Sequence, residues 1–264
     1  MAYTAEQIAS LQQEQQKAVA ALNKLLLTTV VAGEKQVNVQ AKEYLLYGVG
    51  RRLKILRYGL STIFRLFPPD TAKPIASDDL EAVQAALHAF VMNLYGTFEN
   101  LAWAFVCRHD LIGEIGHHRK VGMFLGSTQR FLPQVLADYL SSETMTAWHT
   151  QYLKNYRDAL AHRIPLYIPP LTFTDAEGKR YQELVCEEMA CIEAERWEVL
   201  ERVRHEKTNL GSPCFVFWHG LFSEADAKPM QLHPQLVSDV MTILEFGPLY
   251  FQHWHERAYP DPRR

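Results

Sequence analysis

Residues 38–66 read NVQAKEYLLYGVGRRLKILRYGLSTIFRL, and their apolar side chains recur at intervals of three and four residues. The recurring positions are Leu45, Val49, Leu53, Leu56, Leu60, Ile63 and Phe64. This spacing predicts a long amphipathic helix, whose apolar stripe must be buried against neighbouring elements. Pro68 and Pro69 follow directly and predict where that helix ends. A helix of this length and pattern is typical of a helical bundle.

Further helices are predicted on both sides of this one. Thr4 and Gln7 have the spacing of a capping box, which predicts a helix from about residue 5 to 27 that Gly33 ends. Ser77, with the acidic residues after it, supplies capping oxygens and negative charge at the start of a central, strongly apolar helix that reaches about residue 108. The other predicted helices run from Ser127 to about residue 138, from about residue 142 to 163, and onward from His233 and Pro234.

The segment 165–232 interrupts this helical pattern. Four prolines fall between its start and residue 213, and DAEGK at 175–179 resembles a turn. Residues 187–206 are rich in Glu and Arg and predict a short helix. The stretches CFVFWHG (214–220) and KPMQL (228–232), which flank SEADA (223–227), favour a small β-hairpin.

Together these patterns predict a mainly all-α protein. Residues 36–164 and 233–258 are expected to form an up-and-down helical bundle. Residues 1–35 form an N-terminal helix in this interpretation. The loop-rich stretch 165–232 is an insertion that carries the short helix and the hairpin before the last helix.

Composition limits the classes of function. A chain of 264 residues with 48% hydrophobic residues can bury a substantial core. A formal net charge of −3 argues against a protein that coats nucleic acid indiscriminately, although a local basic cleft stays open. The four cysteines, Cys107, Cys186, Cys191 and Cys214, have no CxxC spacing and are expected to be reduced thiols. Since no apolar run approaches the roughly 18 residues that span a bilayer, we expect a soluble, cytoplasmic protein with no membrane association.

One polar motif stands out at the end of the predicted helix 142–163. Asp158 and His162 lie one helical turn apart on the same face, so the carboxylate can hold the imidazole. Arg157 lies ~140° round the helix and ~7.5 Å along it from His162. The two cationic groups therefore meet at one phosphate only if the arginine bends back or a second subunit contributes.

The motif RDALAH at 157–162 resembles the R-x4-6-H signature of the HEPN superfamily. The resemblance covers about residues 38–164 and the last helix, and this chain has Asp158 where many members have asparagine. It implies a metal-independent endoribonuclease, active as a homodimer, in toxin–antitoxin or other defence systems. It also implies a possible antitoxin partner.

The resemblance implies a role for each group of the motif. His162 would take the proton of a ribose 2′-hydroxyl or give one to the leaving 5′-oxygen. Arg157 would offset the charge of the phosphorane-like transition state, and Asp158 would orient His162. Tyr156 and Tyr167 would stack on splayed bases.

Additional basic residues extend this hypothesis. Arg163 follows the motif, and the loop residues His117, His118, Arg119 and Lys120 are candidates for contact with RNA phosphates. Simpler interpretations remain for each of them. Cationic residues complement the negative end of a helix, the two tyrosines serve as packing residues, and the loop is a solvated turn.

Two polar residues on the central helix also have two interpretations. Glu99 and Asn100, beside Trp103, either support the site or form a polar strip between helices. No metal site and no cofactor is predicted. The alternative function is a non-catalytic HEPN-like bundle whose insertion, residues 165–232, binds a nucleotide or a partner protein.

Overall fold

Helices make up most of the chain in the computed structural model, which describes residues 2–218 and 229–259. The α-helices are α1 (Ala5–Glu34), α2 (Val39–Glu43), α3 (Gly50–Leu66), α4 (Ser77–Arg108), α5 (Ile112–Ile115), α6 (Gly126–Gln129), α7 (Gln134–Ser141), α8 (Glu143–Ala147), α9 (Lys154–His162), α10 (Asp175–Glu193), α11 (Trp197–Thr208) and α12 (Leu232–His253). A 3₁₀-helix spans His118–Lys120, and π-helical turns span Tyr44–Val49 and Trp148–Leu153. Two short strands, β1 (Val216–Phe217) and β2 (Met230–Gln231), complete the fold. The predicted fold class, a helical bundle with a small hairpin before the last helix, is confirmed.

The long amphipathic helix is present as α2, the first π-helical turn and α3 in succession. Asn38 begins it by accepting a hydrogen bond from the backbone N–H of Ala41. Its apolar stripe is buried at every predicted position except Phe64, which is partly buried. The stripe packs mainly against α4, whose Phe90, Phe98 and Phe105 are fully buried. Burial of these side chains is the main stabilising contribution to the bundle.

The N-terminal helix is longer than predicted and packs on the bundle of its own chain, against α12 and α3. The Thr4–Gln7 capping box is present. Gly33, predicted to end the helix, lies inside its last turn, so that prediction was wrong. A β-carbon on Gly33 would lie 2.7 Å from Cδ2 of Leu46. The glycine therefore permits a close approach between two helices.

Two other predicted helix starts differ in detail from the structure. α4 begins at Ser77, but its N-cap is Ala76 and no side chain caps it. Ser127 does not cap a helix either, since its hydroxyl donates to the carbonyl of Lys120. The predicted helix from Ser127 to residue 138 is divided into α6 and α7, because Pro133 lacks the N–H that a continuous helix needs.

The insertion contains more helix than predicted. DAEGK is the first turn of α10 and not a turn between elements, because Thr174 and Glu177 form a capping box there. The predicted helix 187–206 is interrupted after Glu193, where Glu195 has a φ of 54°. α10 and α11 pack on each other through a small apolar cluster of their own.

The hairpin and the last helix agree with expectation. β1 and β2 pair antiparallel, and residues 219–228, which include the predicted connection SEADA (223–227), lie outside the described residues. Phe217 of β1 is fully buried in the main core, as are Leu166 and Ile168 at the start of the insertion. Within the described ranges, no helix is both long and apolar enough to cross a lipid bilayer.

Candidate functional site around Arg157

The side chain of Arg157 points from α9 toward α4. Its guanidinium carbon lies 4.0 Å from the centre of the Tyr95 ring, a cation–π contact. Its Nη1 atom lies 3.0 Å from Oδ1 of Asp158, and the two side chains are only 24% and 21% exposed. The guanidinium is thus fixed by a ring on one side and a carboxylate on the other.

Asp158 does not hold His162 as the sequence predicted. No ion pair or hydrogen bond joins these two residues among those that the structure describes, and His162 is exposed at the end of α9. The carboxylate pairs with Arg157 instead. An arginine is always charged, and the pair is partly shielded from water, so this ion pair is favoured over one with an exposed imidazole.

Glu99 of α4 completes the charged part of the cluster. Burial raises the pKa of its carboxyl group to about 7, while the charge of Arg157 and the backbone N–H of Met123 act in the opposite direction. Near neutral pH this group is present in both protonation states. It is therefore able to accept or donate a proton where the guanidinium is already in place.

His149, in the second π-helical turn, belongs to the same cluster, because its ring stacks with that of Tyr95 at a centroid distance of 6.1 Å. Its ring stacks on Phe124, with centroids 3.8 Å apart and planes 10° apart. Burial, together with the nearby charges of Lys154 and Arg157, lowers the pKa of His149 to about 4. The imidazole is therefore neutral at physiological pH. π-Helical turns occur often at functional sites.

Two atoms of this cluster lack hydrogen-bond partners. Within the described ranges, Arg157 Nε and His149 Nε2 are the buried side-chain polar atoms that make no hydrogen bond. Buried polar atoms in native proteins are nearly always paired with protein or with ordered water. Both orphaned atoms lie in one cluster, so the hydrogen-bonding groups of this cluster are not fully satisfied by the described protein.

The predicted RNA-binding tyrosines occupy different environments. Tyr156 is only 2% exposed, with its ring edge-on to Phe217, so it packs in the core and does not present a face to a base. Tyr167 is 41% exposed and meets the ring of Trp218 edge-on. Arg163 is exposed immediately after α9.

The predicted basic loop, residues 117–120, is an exposed turn. His117 caps the 3₁₀-helix of His118, Arg119 and Lys120 by accepting from the backbone N–H of Arg119. The carbonyl of Lys120 is held by the hydroxyl of Ser127. Three residues after Lys120, the backbone N–H of Met123 favours the charged form of Glu99, so the turn leads directly to the cluster.

The sequence interpretation missed three aromatic members of this site, Tyr95, Phe124 and His149. Tyr95 carried a usable signal, because it lies four residues before Glu99 in a strongly apolar helix and the two positions share a face. Phe124 and His149 carried none. Asn100, considered together with Glu99, belongs to a different contact: it accepts from Nε of Arg52.

Comparisons with family models, with curated proteins and with solved structures find no match to this chain. The resemblance to the HEPN superfamily therefore stays a prediction from the residues of the motif. The geometry around Arg157 stands independently of it. The guanidinium of Arg157, the carboxyl group of Glu99 with its pKa raised to about 7, and two unpartnered buried nitrogens lie in one cluster.

Proposed function

We propose that this chain is a HEPN-like, metal-independent endoribonuclease that acts as a homodimer, with its site around Arg157 and His162. α9 supports the proposal because it carries a partly exposed guanidinium and ends in an exposed imidazole. The observation that carries it is the guanidinium of Arg157, held by Tyr95 and Asp158, beside the titrating carboxyl of Glu99. Phosphate oxygens and ribose hydroxyls are suitable partners for these groups.

The proposed reaction needs one proton acceptor and one proton donor. The Glu99 carboxylate takes the proton of a ribose 2′-hydroxyl, and the resulting oxygen attacks the adjacent phosphorus. The bond to the 5′-oxygen breaks, and His162 protonates that leaving oxygen. The products are a 2′,3′-cyclic phosphate and a 5′-hydroxyl. Arg157 offsets the negative charge that develops on the phosphorus oxygens, and Asp158 keeps the guanidinium in position.

The test is cleavage of end-labelled single-stranded RNA by the purified chain in buffer containing EDTA. We expect cleavage of RNA that contains all four bases and none of the same RNA with 2′-O-methyl groups, since the attacking hydroxyl is then blocked. The products should carry 5′-hydroxyl ends, which polynucleotide kinase labels directly. Light scattering should report a dimer. No cleavage by a folded wild-type dimer contradicts the proposal.

Matched variants assign the roles. His162→Ala and Glu99→Gln should each lower the rate at least about 100-fold, the usual contribution of an acid–base group. The controls are His205→Ala and Glu81→Gln, at exposed positions of α11 and α4, and both variants should cleave at the wild-type rate. Full activity in His162→Ala would remove the imidazole from the mechanism. In a toxin–antitoxin or defence setting, expression of wild type but not of His162→Ala should arrest growth.

A second candidate function is a non-catalytic bundle that binds a nucleotide or a partner protein. The observation that favours it is the engagement of Arg157 with both Asp158 and Tyr95, which leaves fewer of its donors for a phosphate. This candidate predicts a wild-type protein that is inert toward RNA but binds mononucleotides in calorimetry. Mononucleotide binding that Arg157→Ala and Arg163→Ala both leave unchanged would support it over the nuclease.

A further inference from the structure

A separate pocket lies between the long helix 39–66 and α4. Its volume is about 500 Å³. The lining residues are Gln40, Glu43, Tyr44, Gly48, Arg52, Asn100, Trp103 and Cys107. None of them belongs to the cluster around Arg157.

Arg52 is the cationic group of this pocket and has an unusual set of partners. Its Nε donates to Oδ1 of Asn100 at 2.8 Å, and its Nη1 donates to Oδ1 of Asn93 at 3.0 Å. No carboxylate of the described chain forms an ion pair with it, and no described residue accepts from its Nη2. Burial lowers the pKa of the guanidinium, which nevertheless stays charged at neutral pH. The oriented guanidinium of Arg52 thus has unused hydrogen-bond donors next to the pocket.

The backbone is shaped to hold this guanidinium. A β-carbon on Gly96 would overlap the guanidinium of Arg52, and one on Gly48 would lie 2.8 Å from Oδ1 of Asn100. Glycine inside a helix costs about 1 kcal/mol relative to alanine. Two helical glycines therefore make room for the arginine and for the amide that orients it.

The other lining groups limit the kind of ligand. The rings of Tyr44 and Trp103 stack with centroids 5.5 Å apart and planes 12° apart, and both line the cavity. Such a wall favours a planar molecule. Glu43, which is exposed, adds one negative charge to the lining of the pocket. This charge disfavours a ligand that carries two negative charges.

We propose that this pocket binds a small planar molecule that carries a single oxyanion, such as an aromatic carboxylate. The oxyanion accepts hydrogen bonds from the free end of Arg52, and the ring lies against the Tyr44–Trp103 wall. A guanidinium fork matches the two oxygens of a carboxylate. The proposal does not depend on RNA cleavage, because it concerns different residues and is tested by binding alone.

The test is calorimetric titration of the purified 264-residue chain with three probes. 2-Naphthoate has both the ring and the carboxylate, 2-naphthamide has the ring without the charge, and acetate has the charge without the ring. We expect 2-naphthoate to bind at least about tenfold more tightly than either of the others, since the loss of one charge-assisted contact has an effect of this size. No measurable binding of 2-naphthoate, or equal binding of the amide, overturns the proposal.

Variants identify the residue. Arg52→Gln should lower the affinity for 2-naphthoate at least tenfold, and Arg51→Gln should leave it unchanged, because Arg51 is exposed and lies over the ring of Tyr47 instead. Arg52→Lys keeps the charge and removes the fork, so it tests the same contact if Arg52→Gln fails to fold. A folded Arg52 variant that binds as tightly as the wild type places the ligand elsewhere and refutes the assignment.

Discussion

Arg157 and Tyr95 form the contact that joins α9 to the central helix at the candidate site, with the guanidinium carbon 4.0 Å from the ring centre. Burial raises the pKa of the tyrosine hydroxyl, while the nearby charge of Arg157 acts in the opposite direction. The arginine is therefore held before any ligand arrives. Preorganisation of this kind lowers the cost of orienting a charge toward a reacting group.

Tyr95→Leu should lower the free energy of unfolding by about 1–2 kcal/mol, because it removes a partly buried cation–π contact. Tyr95→Phe retains the ring and should cost less. The measurement is urea denaturation followed by circular dichroism. A double-mutant cycle with Arg157→Met isolates the pair, and we expect a coupling of about 1 kcal/mol. A coupling near zero would mean that the contact does not stabilise the fold.

The raised pKa of Glu99 makes stability depend on pH. Because its folded-state pKa is about 7 and its ordinary value is 4.5, the native state binds the proton more tightly than the unfolded chain. This contribution is fully present below about pH 4.5 and is lost as the pH rises through about 7. Its full size is on the order of 3 kcal/mol. Relative to Glu99→Gln, the wild type should lose stability across that window.

The comparison with Glu99→Gln isolates this group, since the other titrating residues are shared by both proteins. Glu81→Gln, on the exposed part of α4, is the control and should run parallel to the wild type at every pH. Denaturant midpoints at pH 4.5, 6 and 8 are sufficient. A constant difference between wild type and Glu99→Gln would show that Glu99 is not the group that titrates.

Asp239 of α12 is a buried acceptor whose loss should be costly. It accepts from Trp148 Nε1 at 3.0 Å, from the hydroxyl of Tyr152 at 2.7 Å and from Gln235 Nε2 at 2.8 Å. Asp239→Ala leaves these donors without an acceptor and should cost roughly 3 kcal/mol or more.

Asp239→Asn should cost clearly less than Asp239→Ala, because its carbonyl oxygen can still accept from Trp148 and Gln235. Urea denaturation at pH 7 distinguishes the two. The neighbouring exposed Ser238→Ala serves as the control and should change stability by less than about 0.5 kcal/mol. Equal costs for the alanine and asparagine variants would indicate that the hydrogen bonds contribute little.

The close packing of Gly33 against Leu46 predicts the direction of a change in stability. Gly33→Ala should lower stability by about 1–2 kcal/mol, because its new methyl group overlaps Leu46. In a Leu46→Ala background that cost should nearly vanish. Gly178 is the matched control: its nearest neighbour to an added β-carbon is 3.9 Å away, so Gly178→Ala should stabilise the protein. Destabilisation by both alanine substitutions to the same degree would contradict this account.

The bundle was predictable from the sequence because its helices are long and their apolar spacing is regular, as in residues 38–66. The errors in the predicted helix boundaries arose where local sequence signals compete with each other. DAEGK resembles a turn, yet the capping box of Thr174 and Glu177 outweighs Gly178 there. Conversely, Pro133 was sufficient to divide the predicted helix that begins at Ser127.

The candidate site was only half predictable. Arg157 and Asp158 were identified because they lie in one short motif, but the direction of the arginine depends on Tyr95, far away in the sequence. The contact of Asp158 with Arg157 is between neighbours in the chain, which helical-wheel spacing does not favour. Tertiary packing against α4 determines both the direction of Arg157 and its contact with Asp158. The periodicity of a single helix gives no information about such packing.

The π-helical turns Tyr44–Val49 and Trp148–Leu153 each precede an arginine discussed above, Arg52 and Arg157. An i→i+5 turn holds one residue more than an α-turn, so every side chain after it is rotated by about 100° relative to a regular helix. Loss of one residue from either turn would leave the segment helical but would aim its arginine at a different neighbour. Single-residue deletions in these two places would thus separate the ability to fold from the ability to form either binding surface.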